Sequence, residues 1–239
     1  MSSQSISAAL SGSFLIGGDL RVHRLGYGTM RLVGDGAWGE PADLKQTHRV
    51  LRRAVELGVT LIDTADAYGP EIAERLIGET LAPYPTGVVI GTKGGITRQG
   101  PAKTEYVGRA GYLIQCVEMS LRRLKLEQIE LYQLHRIDPR TPLEESLGAL
   151  RRMQEQGKIR HIGLSEVNPA EIERVVTPRH GWKNPSSAPT VYLYTKPLPG
   201  GIDVGISDGH VDQPKLDSLW NYTWHLNWKT PNPRPGLPP

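Results

Sequence analysis

The chain has 239 residues, of which 38% are hydrophobic and 22% charged, and a formal net charge of +3. This length allows one α/β barrel or two smaller domains, and the composition is that of a globular protein. The small charge and the lack of a dense Lys/Arg run give no reason to expect nucleic acid as a partner. A single cysteine, Cys116, excludes an internal disulfide and a multi-cysteine metal cluster.

The amino terminus predicts neither a secretory signal nor a membrane anchor. No Lys or Arg precedes Arg21, and no apolar run approaches the ~20 residues that a membrane span needs. We therefore expect a cytoplasmic protein with no membrane partner.

Residues 13–23 predict a β-hairpin, because two short apolar runs flank Gly-Gly-Asp. Strands and helices then alternate along the chain. The predicted strands are RLGYGT at 24–29, VTLID at 59–63, GVVIGTK at 87–93, IELYQLH at 129–135 and IRHIGLS at 159–165. Short β-rich runs of this kind are typical of strands buried in parallel sheets.

Helical patterns separate these strands. The first predicted helix covers 41–57, and the next begins at Pro70. A third helix has an apolar side that includes Cys116, which we interpret as a small core residue. Two segments with the spacing of a capping box, 141–144 and 168–171, predict the starts of the last two helices.

Five strand–helix units in a row predict a parallel sheet with right-handed crossovers, either as a barrel or as an open doubly wound sheet. A doubly wound dinucleotide-binding sheet requires G-x-G-x-x-G directly after a strand, and neither GYG nor GTKGG supplies it. The leading fold class is therefore a (β/α)8 TIM-barrel type that is incomplete. It would have about five recognisable β/α units and an irregular C-terminal tail.

The composition changes sharply after Val176. Residues 177–239 hold 11 of the 19 prolines and four of the five tryptophans, and no amphipathic helix of ten residues can be drawn there. The segment TVYLYTK, 190–196, is a candidate strand. We predict a partial barrel with an N-terminal hairpin over 1–176, followed by an atypical Pro/Trp-rich tail over 177–239 that is irregular or disordered.

Polar side chains stand at the carboxyl ends of three successive predicted strands. Asp63 ends the second strand, Lys93 the third and His135 the fourth, and Tyr68 lies in the loop after Asp63. Functional groups of parallel barrels gather at this end of the strands. Each residue alone has a structural interpretation, as a turn contact, a solvated charge, a core histidine or a rim aromatic. Together they predict a site.

The segments LIDTADAYG, IGTKGG, LYQLHRID and HIGLSEVNPAEIE resemble, in order and spacing, the motifs of the aldo-keto reductase superfamily. The resemblance covers roughly residues 20–176. It implies that Tyr68 donates the proton in the reduction of a carbonyl, with Lys93 and Asp63 as its activating pair. His135 would orient the substrate carbonyl.

These roles agree with the chemistry of hydride transfer. A hydride that reaches a carbonyl carbon leaves negative charge on oxygen, so a positioned acid must supply a proton. An unassisted tyrosine is too weak an acid at neutral pH, and we expect the Lys93 ammonium to lower the pKa of Tyr68. Asp63 would hold Lys93 charged and in place, and a donor on His135 would polarise the carbonyl.

No side chain can donate a hydride, so the reaction requires a cofactor. The resemblance implies NADPH, bound extended across the mouth of the barrel. Gly28, Thr29, Met30 and Asp63 would lie beside the nicotinamide ribose. The carboxamide would be held by Ser165 and its neighbour Glu166, where the family normally has Asn. An ionised carboxylate can accept a hydrogen bond from the carboxamide nitrogen but cannot donate one to its oxygen.

Trp38 lies in the loop after the first strand and is a candidate to contact the substrate. Arg136 and Asp138 are interpreted as structural or rim charges. No metal-ligand spacing is evident, so no metal is expected. The expected partner is a small-molecule carbonyl compound.

Two other functions are compatible with the sequence. The chain could be a catalytically inactive fragment or a nicotinamide-nucleotide-sensing binding protein derived from this family. The reason is that 177–239 contains no match to the family segment that stacks on the nicotinamide and grips the phosphates. A lyase or isomerase with a Schiff base on Lys93 is a weaker alternative, since Asp63, Tyr68 and His135 accompany that lysine.

A truncated gene or a reading-frame shift near codon 177 would explain the change of pattern in the tail. The frameshift hypothesis fails if neither alternative frame of the coding DNA after that codon encodes strands six to eight.

Overall fold

The computed structural model describes residues 6–176 and two strands of the tail, 192–198 and 201–207. Its strands are β1 Ser13–Ile16, β2 Leu20–His23, β3 Tyr27–Gly28, β4 Leu61–Asp63, β5 Val89–Gly94, β6 Ile96–Gly100, β7 Lys103–Tyr106, β8 Ile129–Leu134, β9 Ile159–Leu164, β10 Tyr192–Leu198 and β11 Gly201–Ser207. Its helices are α1 Leu44–Glu56, α2 Ile72–Leu81, α3 Ala110–Leu124, α4 Leu143–Glu155 and α5 Pro169–Val176.

The central sheet has five parallel strands in the order β3–β4–β5–β8–β9. Each strand pairs with the next one of the sheet in chain order, without the reversal of order that defines a doubly wound sheet. One of the helices α1 to α4 lies between each strand and the next, and α5 follows the last. The architecture is that of five β/α units of an incomplete (β/α)8 barrel, which confirms the predicted fold class.

The predicted hairpin covers the end of the sheet at which the strands begin. β1 and β2 pair antiparallel, and their buried side chains Ile16 and Val22 join one apolar cluster with Leu61, Val89 and Leu131. Those three residues lie in β4, β5 and β8 and face the inside of the curved sheet. The hairpin does not cover the opposite end of the sheet, where the carboxyl ends of the strands lie, so a site can form there.

Alternate residues of these strands face opposite sides of the sheet, as the pleat requires. Ile62 and Ile90 pack outward in the cluster that contains the buried residues of α1 and α2. Tyr132 and Leu164 pack outward in the cluster that contains those of α3 and α4. The residues between them face inward.

The helices bury the faces that their periodicity predicts, and Cys116 is a buried member of the α3 face. The first helix begins later than predicted, at Leu44, because the Asp43 carboxylate accepts a hydrogen bond of 2.8 Å from the Gln46 amide and caps it there. None of the helices in the described parts of the chain is both long and apolar enough to cross a membrane.

The two predicted capping boxes differ in outcome. The box at 168–171 is confirmed, because the Glu171 amide donates to Asn168 Oδ1 at 3.0 Å and the Asn168 amide donates to Glu171 Oε2 at 2.7 Å. At 141–144 the helix begins at Leu143 with Pro142 as its N-cap residue, one residue later than predicted, and the Thr141 hydroxyl donates to the Asp138 carboxylate at 3.0 Å.

A second hairpin, β6 and β7, was not predicted. It pairs antiparallel between β5 and α3, with a shift of register between Arg98 and Gly100. A Gly100-Pro101 dipeptide at its turn was the available signal in the sequence.

In the tail, β10 and β11 form an antiparallel pair from Tyr192–Ser207 to Leu198–Gly201. β10 overlaps the candidate strand at 190–196. The rest of 177–239 lies outside the described residues, so the irregular character of that segment stays a prediction.

Candidate active site

The inward-facing side chains at the carboxyl ends of four neighbouring strands form the candidate site. Asp63 is the last residue of β4, Lys93 is the last but one of β5, and His135 and Ser165 directly follow β8 and β9. The alternation that buries their neighbours outward puts these side chains on one inner face. Tyr68 comes from the loop between β4 and α2.

Lys93 connects the predicted acidic and phenolic groups. Its ammonium lies 2.5 Å from Asp63 Oδ2, 2.9 Å from the Thr64 carbonyl oxygen and 3.3 Å from Tyr68 Oη. These contacts use all three of its N–H donors. The lysine is 2% exposed, so its charge interacts with both partners at low dielectric.

The pKa values of Tyr68 and Lys93 are both raised. Burial raises the pKa of Tyr68, and Lys93 lowers it by less, so that the net pKa lies above the ordinary value. Lys93 thus lowers the pKa of Tyr68 as predicted, but the hydration that a buried phenolate loses outweighs this effect. Burial lowers the pKa of Lys93, but Asp63 and Tyr68 outweigh burial and leave that pKa raised. At neutral pH the pair is a neutral phenol beside an ammonium.

His135 lies against the phenol. Its ring meets the Tyr68 ring edge to face, with centroids 5.8 Å apart and an interplanar angle of 81°. Burial, followed by the charges of Lys93, Arg136 and Arg98, holds the pKa of His135 well below its usual range. The imidazole is therefore neutral at pH 7, with one nitrogen that donates and one that accepts.

Two buried polar atoms of the site have no hydrogen-bond partner among the described residues, His135 Nδ1 and Gln133 Oε1. Gln133 was not predicted as a site residue. It faces inward on β8, and its amide nitrogen lies 3.4 Å from Asp63 Oδ1. Unpaired polar atoms on this inner face fit a site for a polar ligand.

The residues predicted to lie beside the cofactor ribose surround Asp63. Gly28 pairs with Asp63 in the sheet. The amide and the hydroxyl of Thr29 both donate to the Asp63 carbonyl oxygen, at 2.9 and 3.0 Å. Met30 begins the short helical turn Met30–Leu32 after β3. The Thr29 hydroxyl, which is fully buried, thus fixes the end of β4.

Ser165 and Glu166 stand together at the end of β9, as the sequence predicts. Ser165 is 2% exposed, and its amide donates to the Leu134 carbonyl oxygen of β8. Arg136 reaches both residues: Nη1 lies 3.3 Å from Ser165 Oγ, and Nη2 lies 2.5 Å from Glu166 Oε2. Arg136 therefore contacts both residues that were predicted to hold the carboxamide.

Asp138, the other residue interpreted as structural or rim, is structural. It is 4% exposed and accepts hydrogen bonds from the Gly108 amide, the Arg140 amide and the Thr141 hydroxyl. Burial opposes its charge, but these bonds outweigh burial and lower the pKa of Asp138 to about 2.

Trp38 lies beside the loop that carries Tyr68. Its backbone forms a bridge with Gly69, the residue after Tyr68. The guanidinium of Arg98 lies 5.8 Å from the centre of the Trp38 ring and bonds to the Gly36 and Ala67 carbonyl oxygens. Arg98 was not predicted, since the hairpin that carries it was not.

A buried carboxylate, Glu74, lies in the helix that follows the Tyr68 loop. Glu74, in the first turn of α2, is fully buried. It accepts from the Thr92 hydroxyl at 2.5 Å and from Arg123 Nε at 2.7 Å, which joins α2 to β5 and α3. The sequence did not indicate it, because a glutamate is almost never fully buried unless it is paired, and its partners come from other elements.

No cluster of three or more metal-ligating side chains occurs in the described part of the chain. The arrangement therefore consists of a phenol, an ammonium, a carboxylate and a neutral imidazole on one inner face. Such a set can give a proton to an oxygen and stabilise the charge that remains.

Residues 24–195 match the sequence model of the Aldo/keto reductase family, a range that includes every candidate site residue. An uncharacterised oxidoreductase of Schizosaccharomyces pombe is 45% identical over 171 residues, 72% of this chain and 55% of that protein. Pyridoxine 4-dehydrogenase of Escherichia coli is 39% identical over 161 residues, 65% of this chain and 56% of that protein. The chain thus spans little more than half the length of these relatives.

Solved structures give the same result. The glycerol dehydrogenase of Gluconobacter oxydans has a TM-score of 0.63 at 33% identity, over 70% of this chain and 53% of that one. An aldo-keto reductase of Klebsiella pneumoniae in complex with NADPH has a TM-score of 0.55 at 25% identity, over 68% and 52% of the two chains.

Proposed function

Because the chain belongs to the aldo/keto reductase family, we propose that it reduces an aldehyde or ketone to an alcohol with NADPH as the reductant. The observation that carries the proposal is the contact of one buried ammonium, Lys93, with both the Asp63 carboxylate and the Tyr68 phenol. That contact supplies an acid with a proton to give and a charge to stabilise the resulting phenolate.

NADPH supplies the hydride when it is bound. Tyr68 donates its proton to the oxygen that gains charge. Lys93, which already donates to Tyr68 Oη, stabilises the phenolate as it forms. Asp63 keeps Lys93 charged through its contact of 2.5 Å.

His135 orients the substrate. A neutral imidazole can donate one N–H to the carbonyl oxygen without giving up its proton, and its low pKa keeps it in that form. Trp38 would line the substrate side, because its backbone is bridged to the residue after Tyr68.

The cofactor would be held at the ends of β3, β4 and β9. Gly28, Thr29, Met30 and Asp63 would lie beside the nicotinamide ribose, and Ser165 and Glu166 would bind the carboxamide. The choice of NADPH is supported by the Klebsiella pneumoniae structure that binds it. We propose a cytoplasmic location and a small-molecule carbonyl partner.

Replacement of Tyr68 by Phe tests the proposal. It removes only the phenolic oxygen, so we expect NADPH-dependent reduction of a generic aldehyde to fall at least about 100-fold, the lower range of general-acid catalysis. Loss of NADPH absorbance measures the rate, and NADPH binding by fluorescence is expected to be retained. Equal turnover in Tyr68→Phe and the wild type would contradict the assignment.

The alternative, a nucleotide-sensing protein without activity, is supported by the atypical composition of 177–239, which holds 11 of the 19 prolines and four of the five tryptophans. The same two measurements separate the functions. NADPH binding without turnover in the folded wild type supports the sensor, and absence of binding supports an inactive fragment. A Schiff base on Lys93 is opposed by its raised pKa and its three hydrogen bonds.

A further inference from the structure

Arg136 occupies the space between the ends of β8 and β9. Its Nη1 donates to the His135 carbonyl oxygen at 2.5 Å as well as to Ser165 Oγ at 3.3 Å. Its Nη2 forms the ion pair of 2.5 Å with Glu166, and the Arg136 side chain is 20% exposed. The guanidinium charge also lowers the pKa values of Tyr68 and His135. Arg136 is therefore a fixed cation within electrostatic range of the reacting groups.

Glu166 keeps a backbone conformation that suits a different residue. Its φ is 50°, in the left-handed region that Asn tolerates much better than Glu. A side-chain amide at this position would offer both a donor and an acceptor, whereas an ionised carboxylate offers acceptors alone. Position 166 thus has a backbone conformation that Asn adopts readily, but its side chain lacks the N–H donor that an Asn would provide.

A nicotinamide carboxamide needs both kinds of partner, because its oxygen accepts and its nitrogen donates. In this chain the Glu166 carboxylate is an acceptor, and the Arg136 guanidinium beside it is a donor. A guanidinium has five N–H donors, and the three bonds that Arg136 makes use Nη1 and Nη2. The two bonds of Nη1 use both of its hydrogens and the ion pair uses one hydrogen of Nη2, so one N–H of Nη2 is left to donate.

We propose that Arg136 is a cofactor-binding residue, and that Arg136 and Glu166 act as a pair in place of one Asn: Arg136 donates to the carboxamide oxygen and Glu166 accepts from the carboxamide nitrogen. This inference rests on the proposed function. Ser165 adds its hydroxyl to the same subsite.

The pair has an electrostatic consequence that an Asn would not have. The nicotinamide ring is cationic in NADP+ and neutral in NADPH. While Arg136 and Glu166 are paired, their charges largely cancel at the ring. Removal of either charge leaves the other uncompensated, with opposite effects on the oxidised cofactor.

The donor role is tested by calorimetric titration of the full chain with NADPH. Arg136→Met is expected to weaken binding about 10- to 100-fold, the range of a hydrogen bond from a charged group. The double variant Arg136→Met/Glu166→Asn restores a side-chain amide and is expected to recover most of that loss. Arg140→Met is the matched control, because this nearby arginine bonds to Asp138 and does not contact Ser165 or Glu166.

The charge role is tested with variants that keep a polar amide. Glu166→Gln is expected to raise the ratio of the Kd for NADP+ to the Kd for NADPH by about three- to tenfold, because Arg136 is then uncompensated. Arg136→Gln is expected to lower the same ratio by a similar factor. A purely structural role would weaken both cofactor forms together and leave the ratio unchanged.

The results distinguish failure of the Arg136–Glu166 pair from failure of the proposed function. If Arg136→Met binds NADPH like the wild type, or if the double variant recovers nothing and the ratios do not move, the pair does not bind the carboxamide. The reductase proposal then stands. If the wild-type chain binds neither cofactor form, the proposed function and this inference both fail. Melting curves of every variant, compared with the wild type, identify loss of folding.

Discussion

Asp66 stands two residues before Tyr68, on the side of the loop that faces the helices. It is 8% exposed, and its Oδ1 has no hydrogen-bond partner among the described residues. Burial, and then repulsion from Glu74, raise the pKa of Asp66 to about 8. At neutral pH this carboxyl group is protonated in the folded protein and ionised in the unfolded chain.

This difference predicts how stability depends on pH. The folded state binds one proton more than the unfolded state between pH 4 and pH 8, so the contribution of Asp66 is lost as pH rises through that window. Asp66→Asn removes the titration. We expect its melting temperature to exceed that of the wild type at pH 8, with a smaller difference near pH 4, measured by circular dichroism.

Asp138→Asn is the control, since the pKa of Asp138 is lowered to about 2 and its contribution is lost only as pH falls from about 4 towards 2. A melting difference between Asp66→Asn and the wild type that is the same at pH 4 and pH 8 would contradict the protonation of Asp66.

At the scale of elements, Arg98 of β6 joins two loops of the site. Its guanidinium donates to the Ala67 carbonyl oxygen at 2.9 Å and to the Gly36 carbonyl oxygen at 2.7 Å. Two backbone hydrogen bonds join the same loops. The Gly39 amide donates to the Gly69 carbonyl oxygen at 2.7 Å, and the Gly69 amide donates to the Ala37 carbonyl oxygen at 3.0 Å. The hairpin thus holds the Trp38 loop against the Tyr68 loop.

Arg98→Met is expected to loosen this contact. Loss of a hydrogen bond from a charged group raises the open population about tenfold or more. Hydrogen exchange of the Gly39 and Gly69 amides should therefore accelerate by about that factor, with exchange in β5 unchanged. Arg98→Lys, which keeps the charge but not the planar fork, should behave like Arg98→Met. Wild-type exchange rates in both variants would show that the backbone bridge holds alone.

The sequence predicts the regular elements of this fold because their patterns are local. Short apolar runs predict the five parallel strands. The helical spacing of apolar residues in α1 to α4 predicts which face of each helix is buried. The β6–β7 hairpin was missed because its residues alternate little in burial. The start of α4 lies one residue later than predicted, and the Thr141 hydroxyl donates to Asp138, which lies outside the four-residue pattern. A contact of that kind cannot be read from the spacing of a capping box.

The sequence could predict which side chains come together at the candidate site, but not their pKa values or their charged neighbours. Strand ends and alternation suffice to bring Asp63, Lys93 and His135 to one face. The raised pKa of Tyr68 and the place of Arg136 depend on burial and on the neighbouring strand. Neither burial nor cross-strand contact can be read from residue spacing.

At the scale of the whole molecule, the chain covers 55% of its Schizosaccharomyces pombe relative, yet the described part contains every predicted site residue. If these residues suffice for binding, NADPH must stabilise the fold. At about 100 times Kd the gain is about 2.7 kcal/mol. For a chain of this size that raises the melting temperature by roughly 5–10 °C.

A thermal shift titration measures this gain. ATP, which has adenosine and phosphates but no nicotinamide, is the control and is expected to give a smaller shift. No shift with NADPH at millimolar concentration would mean that this chain does not bind the cofactor.

The sequential order of the parallel strands also has a consequence for biosynthesis. A chain leaves the ribosome from its amino end, and here each new strand of the sheet meets a partner that has already been made. The four candidate catalytic side chains, Asp63, Tyr68, Lys93 and His135, all lie at or before residue 135. Their assembly can therefore accompany translation unit by unit, with Ser165 and Glu166 at the end of β9 added last.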